Sequence, residues 1–472
     1  MNDPHPESEL ELPAPKVAPA LDPAFRPAAL ATRAFRELVR ESGAPQPLVL
    51  AIEQADGSVF RTETALLPEA HPKSAVNFTF VERLVKFLLW SRGGWRLHVA
   101  GPAGLAERVR AHFRDTATGR FDSGLIGEQV FDRAIEVSAC RPDEVPAEKA
   151  RTQALGRHLD GCRIGFDLGG SDRKVAAVQD GRVVFSDETV WDPYFQTDPQ
   201  YHYDGIMDSL RRAAAHLPRV DAIGGSSAGV IVNNQIKVAS LFRGVPRDVF
   251  DRRVKALFLE LGRAWGVPFE VANDGEVTAL AGSMSLGQNG VLGIAMGTSQ
   301  AAGYVTPEGT ITSWLNELAF APVDFNPAAP RDEWSGDYGV GAQYFSQQAV
   351  GRLLAPAGIE AEPAVGLPEK LRLVQSLMAR GDERASKVYQ TLGVYLGHGL
   401  AHYSDFYDFR NVLILGRVTT GAGGELLVAT AKDVLRAEFP ELASRIAFHT
   451  PDEKDKRGGQ AVAAASLPRI AR

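Results

Sequence analysis

The stretch VANDGEVTALAG, residues 271–282, sets an Asn–Asp pair between an apolar run and a small-residue helix. Two kinds of chemistry suit Asp274. Asn and Asp are favoured N-cap residues, because their side-chain oxygens accept from the free N–H groups of a first helical turn. A carboxylate there can also take the proton of an attacking hydroxyl, and a helix N-terminus keeps it ionised. Two further stretches share one layout, an apolar strand, a turn of small residues and a second apolar strand. They are IGFDLGGSDRKVAAV at 164–178 and VLGIAMGTSQAAGYV at 291–305. Turns of Gly, Ser and Thr let backbone N–H groups approach phosphate oxygens without obstruction from a Cβ. Either turn alone is also an ordinary β-hairpin. Flanking the Asn–Asp helix start, and followed by the strand, Gly-rich loop and helix of NVLILGRVTTGAGGELLVATAKDVLRAEF, they describe two turns that hold a nucleotide's phosphates between two lobes.

Other polar groups read more blandly. DEWSGDYG at 332–339 has three carboxylates and reads as a solvated loop rather than a metal site. QTDPQYHYDG at 196–205, with His202, is either an insertion over a cleft or a surface loop packing its own rings. His398 and His402 have helical metal spacing but no third ligand, and HYSDFYDF at 402–409 reads as core.

These residues need a large α/β scaffold to position them. The chain has 472 residues, 44% hydrophobic and 23% charged, the balance of a globular protein with several cores. The net charge of -7 is spread without a basic face, so nucleic acid is not an expected partner. Cys140 and Cys162 make neither a disulfide framework nor a cysteine metal site. With no signal peptide or membrane-length apolar run, the expected compartment is the cytoplasm, away from membranes. Residues 1–28, rich in Pro, Ala and acids, read as a flexible leader. Residues 29–155 read as a separate α/β module of unassigned role, lacking a helix-turn-helix. Residues 156–270, with a last helix at 456–472, read as one lobe, and 271–455 as a second. Within the lobes, RDVFDRRVKALFLELGRAWG at 247–266 reads as one long helix, and 341–354, 367–379 and 382–408 as three more.

From about residue 160 to 470 the chain resembles the ROK family of bacterial sugar kinases and sugar-responsive repressors, within the actin-like ATPase superfamily. Six motifs occur in order. DLGGS is similar to the first phosphate motif, at Asp167, Gly169, Gly170 and Ser171, with Lys174 close behind. GGSSAGVIV falls where the family lines its sugar pocket, at Ser226 and Ser227. ANDGEVTALAG places Asn273 on a sugar contact and Asp274 on the catalytic base. GTSQAAG falls on the second phosphate motif, at Gly297, Thr298 and Ser299. WLNELAFAPVD puts Glu317 on the sugar-contacting glutamate, and LILGRV puts Gly416 on the adenosine side. The resemblance implies a two-lobed actin-like ATPase (ribonuclease H-like) fold. It further implies a sugar hydroxyl attacking the γ-phosphate of ATP, with Mg2+ held through water by Asp167. A non-catalytic sugar-binding or regulatory protein of the same fold is the alternative, and an assembly role for the N-terminal unit a third. A homodimer stays open. The departures are specific. Phe320, Glu333, Ser335 and Val340 stand where the family holds a structural zinc, so no zinc is expected. Ser299, Ala301 and Ala302 replace usual glycines of the second turn, Asp172 adds a carboxylate beside the first, and Arg417 replaces a glycine.

Overall fold

The computed structural model describes residues 10–149, 155–362, 364–450 and 453–470. Its elements, in chain order, begin with an N-terminal unit: α1 (Ala28–Glu41), β1 (Gln46–Glu53), β2 (Val59–Leu66), α2 (Val76–Arg92), β3 (Arg96–Ala100), α3 (Leu105–Asp115) and β4 (Glu136–Ala139). The first lobe has β5 (Cys162–Leu168), β6 (Asp172–Gln179), β7 (Arg182–Val190), α4 (Gln200–Ala214), β8 (Ala222–Ser227), β9 (Val230–Val232), β10 (Gln235–Val238), α5 (Leu257–Trp265) and β11 (Phe269–Asn273). The second has α6 (Asp274–Leu286), β12 (Val291–Met296), β13 (Gln300–Val305), α7 (Leu367–Ala379), α8 (Glu383–Tyr403), β14 (Asn411–Leu415), α9 (Gly421–Glu438) and β15 (Ala447–His449). The last helix is α10 (Glu453–Ala465).

Both lobes start from the same hairpin and extend it with parallel strands. In the first, β5 and β6 pair antiparallel, β7 continues the meander, and β8 and β11 add in parallel, giving the order β11-β8-β5-β6-β7. Every residue of β5 and β8 is buried, the pattern of strands covered on both faces. In the second, β12 and β13 form the hairpin and β14 and β15 add in parallel, in the order β13-β12-β14-β15. Helix α10 lies on β5, β6 and β8, α6 lies on β12 and β13, and the two helices touch. The approach needs glycine. A Cβ on Gly165 or Gly224 would stand 1.7 Å from the carbonyl oxygen of Ala461 or Ala464 on α10.

The N-terminal unit forms a sheet in the order β2-β1-β3-β4. It does not stand apart as expected. Helix α2 buries Phe80, Val81, Val85, Phe87, Leu88, Leu89 and Trp90, which point all round its axis. A helix apolar on every side must be covered on every side. The N-terminal sheet and α1 cover part of it and the second lobe the rest, in one continuous core that runs from Leu48 and Trp90 to Leu292, Tyr395 and Leu400. Phe87 stacks on Phe406 with ring centroids 4.1 Å apart.

The leader is likewise corrected over its described part. Residues 1–9 lie outside the described residues, but Leu10 and Phe25 are buried. Phe25 meets Tyr395 edge-on at 4.8 Å, and Val17 N donates to Glu438 Oε1 at 3.1 Å. The stretch 247–266 is not one helix. Its regular part is α5, and the Lys255 carbonyl, needed by a continuing helix, accepts instead from Ile236 N of β10 at 3.1 Å. No helix among the described residues is long and apolar enough to cross a membrane.

Candidate functional site

The carboxyl ends of three neighbouring parallel strands carry the polar residues singled out in the sequence. Asp167 of β5 is level with Ser226 of β8, and Ser227 is level with Asn273 of β11. Open α/β sheets place ligands at this edge. Ser226 Oγ donates to Asp167 Oδ1 at 2.7 Å. Burial pushes the Asp167 carboxyl up to about 6, against the Ser226 hydrogen bond and nearby Lys174, with the Asp274 charge raising it further.

The helix cap is Asn273, not Asp274. Asn273 Oδ1 accepts from Gly275 N at 2.8 Å, and its Nδ2 donates to Gly229 O at 2.8 Å. Asp274 is the first residue of α6, and its Oδ1 also accepts from Gly275 N, at 2.9 Å. Burial raises its pKa despite the helix-end N–H. Gln460, which the sequence reading missed, reaches across from α10: its Nε2 donates to Ser226 Oγ at 2.9 Å and to Asp274 O at 3.4 Å. The Ser226 hydroxyl is therefore engaged within the protein rather than free for a ligand. No motif marks Gln460, because its partners lie 186 and 234 residues away.

Two hollows adjoin this edge. The larger by its lining, an open cleft, is walled by Asn273, Glu276 and Glu317, by Asn233 and Asn234 between β9 and β10, and by Gln54, Ala55 and Asp56 of the N-terminal unit. No motif marks the turn between β1 and β2 as part of the site. Among the described residues its charged lining is Asp56, Glu270, Glu276 and Glu317, all acidic. Burial, with the Asp274 charge second, raises Glu317 to about 7. The second hollow lies against Asp274, Gly275 and Thr278 on one side and Gly293, Ala301, Ala302 and Leu415 on the other. Asp274 borders this second hollow, while its neighbour Asn273 borders the cleft.

The two small-residue turns form as hairpin turns. In the first, Gly169 N donates to Asp172 O at 2.9 Å and Trp191 Nε1 donates to Gly169 O at 2.8 Å. Gly170 is pressed by Tyr194, whose hydroxyl oxygen would lie 1.9 Å from a Cβ there. Lys174 Nζ pairs with Asp172 Oδ1 at 2.9 Å and stands 4.0 Å from Asp167 Oδ2, while Ser171 Oγ donates to Asp172 Oδ2 at 2.8 Å. Lys174 thus offsets the extra carboxylate. Arg173 faces away, toward Asp208 and Ser209. In the second turn, Gly297 N donates to Ser299 O at 3.0 Å, leaving Thr298 and Ser299 exposed. Gly416, with φ of +97°, packs on the Met296 backbone just before this turn.

The region matching the family's zinc is packed by the N-terminal unit. Phe320 lies between Trp90 at 4.5 Å and Phe121 at 5.6 Å, and Val340 is buried. Glu333 is exposed, and Ser335 donates to Asp332. The solvated-loop reading of 332–339 needs correction, since Asp332 and Asp337 are buried. Asp337 is bound by Arg83 at 3.1 Å and Lys86 at 2.9 Å, and Lys86 also meets Asp122 at 3.0 Å. Burial alone would raise Asp337, but Arg83 and Lys86 outweigh it and hold the carboxyl well below its ordinary range. His398 and His402 are core histidines, His402 kept down to about 3 by burial. His202 is buried at the start of α4, facing the carbonyls of Pro193 and Leu241. Among the described residues no cluster of three His, Cys, Asp or Glu suits a metal ion.

Two lobes built on matching hairpins, with two contacting helices between them, define the actin-like ATPase fold. Solved structures narrow this to the ROK form. The chain is similar to the ROK hexokinase of Thermus thermophilus, at 18% identity and a TM-score of 0.51, over 64% of this chain and 96% of that one. It is similar also to a ROK family transcriptional regulator, a homologue of the E. coli MLC protein, at 20% identity and a TM-score of 0.52, over 66% and 79% of the two chains. No protein-family model and no curated protein sequence matches the chain. The fold is that of ROK proteins, as the motifs imply. Fold alone does not carry function, which has to be argued from the site.

Proposed function

We propose that the protein is a ROK-like sugar kinase, which transfers the γ-phosphate of ATP to a hydroxyl of a sugar bound in the larger cleft. One observation carries this reading: Asp274, at the start of α6, borders one hollow while its neighbour Asn273 borders the other. With the sugar in the larger cleft, Asp274 accepts the hydroxyl proton as the oxygen attacks. Its raised pKa favours that transfer, and the cap on Asn273 fixes the turn that aims it. Glu317, Glu276 and the remaining donor and acceptor of Asn273 suit hydroxyls, which both donate and accept. The acidic side chains among its described lining residues suit a neutral sugar and oppose a phosphorylated one.

The residues present fit a nucleotide with Mg2+ in part. Ser226 fixes one oxygen of Asp167, and the other, an oxygen donor of the kind Mg2+ prefers, would hold the ion through water. Mg2+ and the backbone of the two turns would supply charge neutralisation for phosphoryl transfer. The first turn fits less well, because Tyr194 presses on Gly170. That contact favours a second reading, a protein that binds the sugar without turning it over.

The deciding experiment measures phosphosugar formation from ATP with a panel of hexoses, for the wild type and Asp274→Asn. The kinase reading expects turnover that falls by about 10²–10⁴-fold in the variant. The midpoint of unfolding should barely move, because the cap belongs to Asn273. Turnover retained by the variant refutes Asp274 as the base. Binding of a hexose without turnover in the wild type selects the second reading.

A further inference from the structure

The loop that carries Glu317 is held by the end of α2. Three consecutive amides donate to three consecutive carbonyls: Leu315 to Arg92 at 3.1 Å, Asn316 to Ser91 at 3.0 Å and Glu317 to Trp90 at 3.0 Å. The last four carbonyls of a helix have no partner within it. Here Gly93 N takes the fourth, on Leu89, at 2.9 Å, so the loop completes the satisfaction of the helix end.

Side chains reinforce the joint. Gln54, at the end of β1, donates from Nε2 to Arg92 O and to Ser313 O, and its Oε1 accepts from Ser313 Oγ at 2.8 Å. The Arg92 guanidinium lies 3.6 Å from the centre of the Trp314 ring, on the same loop. Asn316 sits at φ +53°, a left-handed conformation that persists only when its surroundings impose it. Its buried side chain donates to Glu276 Oε1 at 3.0 Å and accepts from Tyr407 at 2.9 Å.

We propose that the N-terminal unit completes the sugar site, with the last turn of α2 and Gln54 acting as the positioning device that sets Glu317 in the cleft. The assignment rests on the reading that this cleft binds a sugar. Gln54 borders the cleft, but its amide is taken up by Arg92 O, Ser313 O, Ser58 Oγ and Ser313 Oγ, so it works through the loop backbone and Glu317 makes the contact with the ligand. Once the joint is loosened, the Glu317 carboxyl turns toward water, and the acidic edge of any pH profile it controls moves to lower pH.

The test uses the full chain with Gln54→Met, which keeps the side-chain volume, and Ser313→Ala as a milder change at the loop surface. Without ligand, hydrogen exchange at the Leu315, Asn316 and Glu317 amides should quicken by about 10-fold in Gln54→Met and less in Ser313→Ala. The amides of β5 and β12 should keep their rates. Unchanged exchange at 315–317 in both variants overturns the proposal. The ligand arm titrates D-glucose, D-mannose and D-galactose by calorimetry and takes whichever binds the wild type. Gln54→Met should weaken that sugar about 10-fold, yet have little further effect on a Glu317→Gln background. Effects that simply add show a general structural role and overturn the assignment. Quickened exchange in a protein that binds none of the three refutes the sugar reading of the cleft and the purpose given to the joint, while leaving the joint itself established.

Discussion

Replacing Glu317 by Gln isolates the cost of keeping a carboxyl group in the cleft. Burial first, and the Asp274 charge second, raise Glu317 from 4.5 to about 7. One pKa unit corresponds to about 1.4 kcal/mol. The shift therefore converts to at most about 3.5 kcal/mol, a ceiling because the side chain is only half-buried. In the unfolded chain the group titrates at its ordinary value. Below about pH 4.5 it is protonated in both states, and its contribution to stability is fully present. As pH rises to about 7 the unfolded chain gives up the proton while the folded protein keeps it, so stability falls. Above that the loss is complete. Gln cannot titrate and shows no such fall. Urea unfolding of the wild type and Glu317→Gln, followed from acid to slightly alkaline pH, should give a stability difference near zero at the acid end. It should grow to as much as about 3.5 kcal/mol in favour of the variant above neutrality. Taking the difference cancels Asp167 and Asp324, which burial raises to about 6 and about 7 in both proteins. A difference flat across this range, or one that widens toward acid, refutes the account of Glu317.

Tyr194→Ala should tighten nucleotide binding by opening the space against Gly170, and calorimetry with a non-hydrolysable ATP analogue measures it; unchanged or weaker affinity refutes the obstruction. Asp337→Ala should destabilise the fold by about 3–5 kcal/mol in urea, because Arg83 and Lys86 are left buried beside an empty acceptor. A loss under about 1 kcal/mol, the scale of a surface pair, shows that the pairing is solvated instead. Metal analysis of the purified protein should find no stoichiometric zinc, and one tight zinc per chain refutes the placement of Phe320, Glu333, Ser335 and Val340 at the ligand positions.

What was legible in the sequence was local. The hairpins of β5–β6 and β12–β13, their Gly-rich turns and the helix start after Asn273 are written in contiguous residues, since apolar alternation and turn chemistry act over a few positions. The order of the six motifs carried the two-lobed architecture. Misreadings arose where a partner is distant in sequence. Asp337 looks like a solvated acid until Arg83 and Lys86 arrive from about 250 residues away, as the span of 254 between Arg83 and Asp337 shows. The leader has the composition of a flexible segment, yet Phe25 finds a slot between Tyr344 and Tyr395. Asn and Asp are both good caps, and only the backbone settles which of two adjacent residues has the extended conformation an N-cap needs, here Asn273.

The N-terminal unit shows why a module without catalytic residues can still matter to a site. Its helix α2 is buried on nearly every side, so it cannot rest on its own sheet alone and must share the core of the second lobe. Once seated there, three of its features fall on one loop system. Trp90 packs on Phe320, Arg83 and Lys86 neutralise Asp337, and the open carbonyls of its last turn take the amides of residues 315–317. Phe320 follows Glu317 by three residues, so anything that immobilises the one constrains the other. A tetrahedral zinc immobilises a loop through four ligands. Here apolar packing, a buried ion network and a helix end divide the same task, and none of the three requires a ligand residue to be kept. Phe320, Glu333, Ser335 and Val340, at the positions where the resemblance implies a zinc site, and the N-terminal unit then meet at one physical requirement. The backbone that presents Glu317 to the cleft has to be held still.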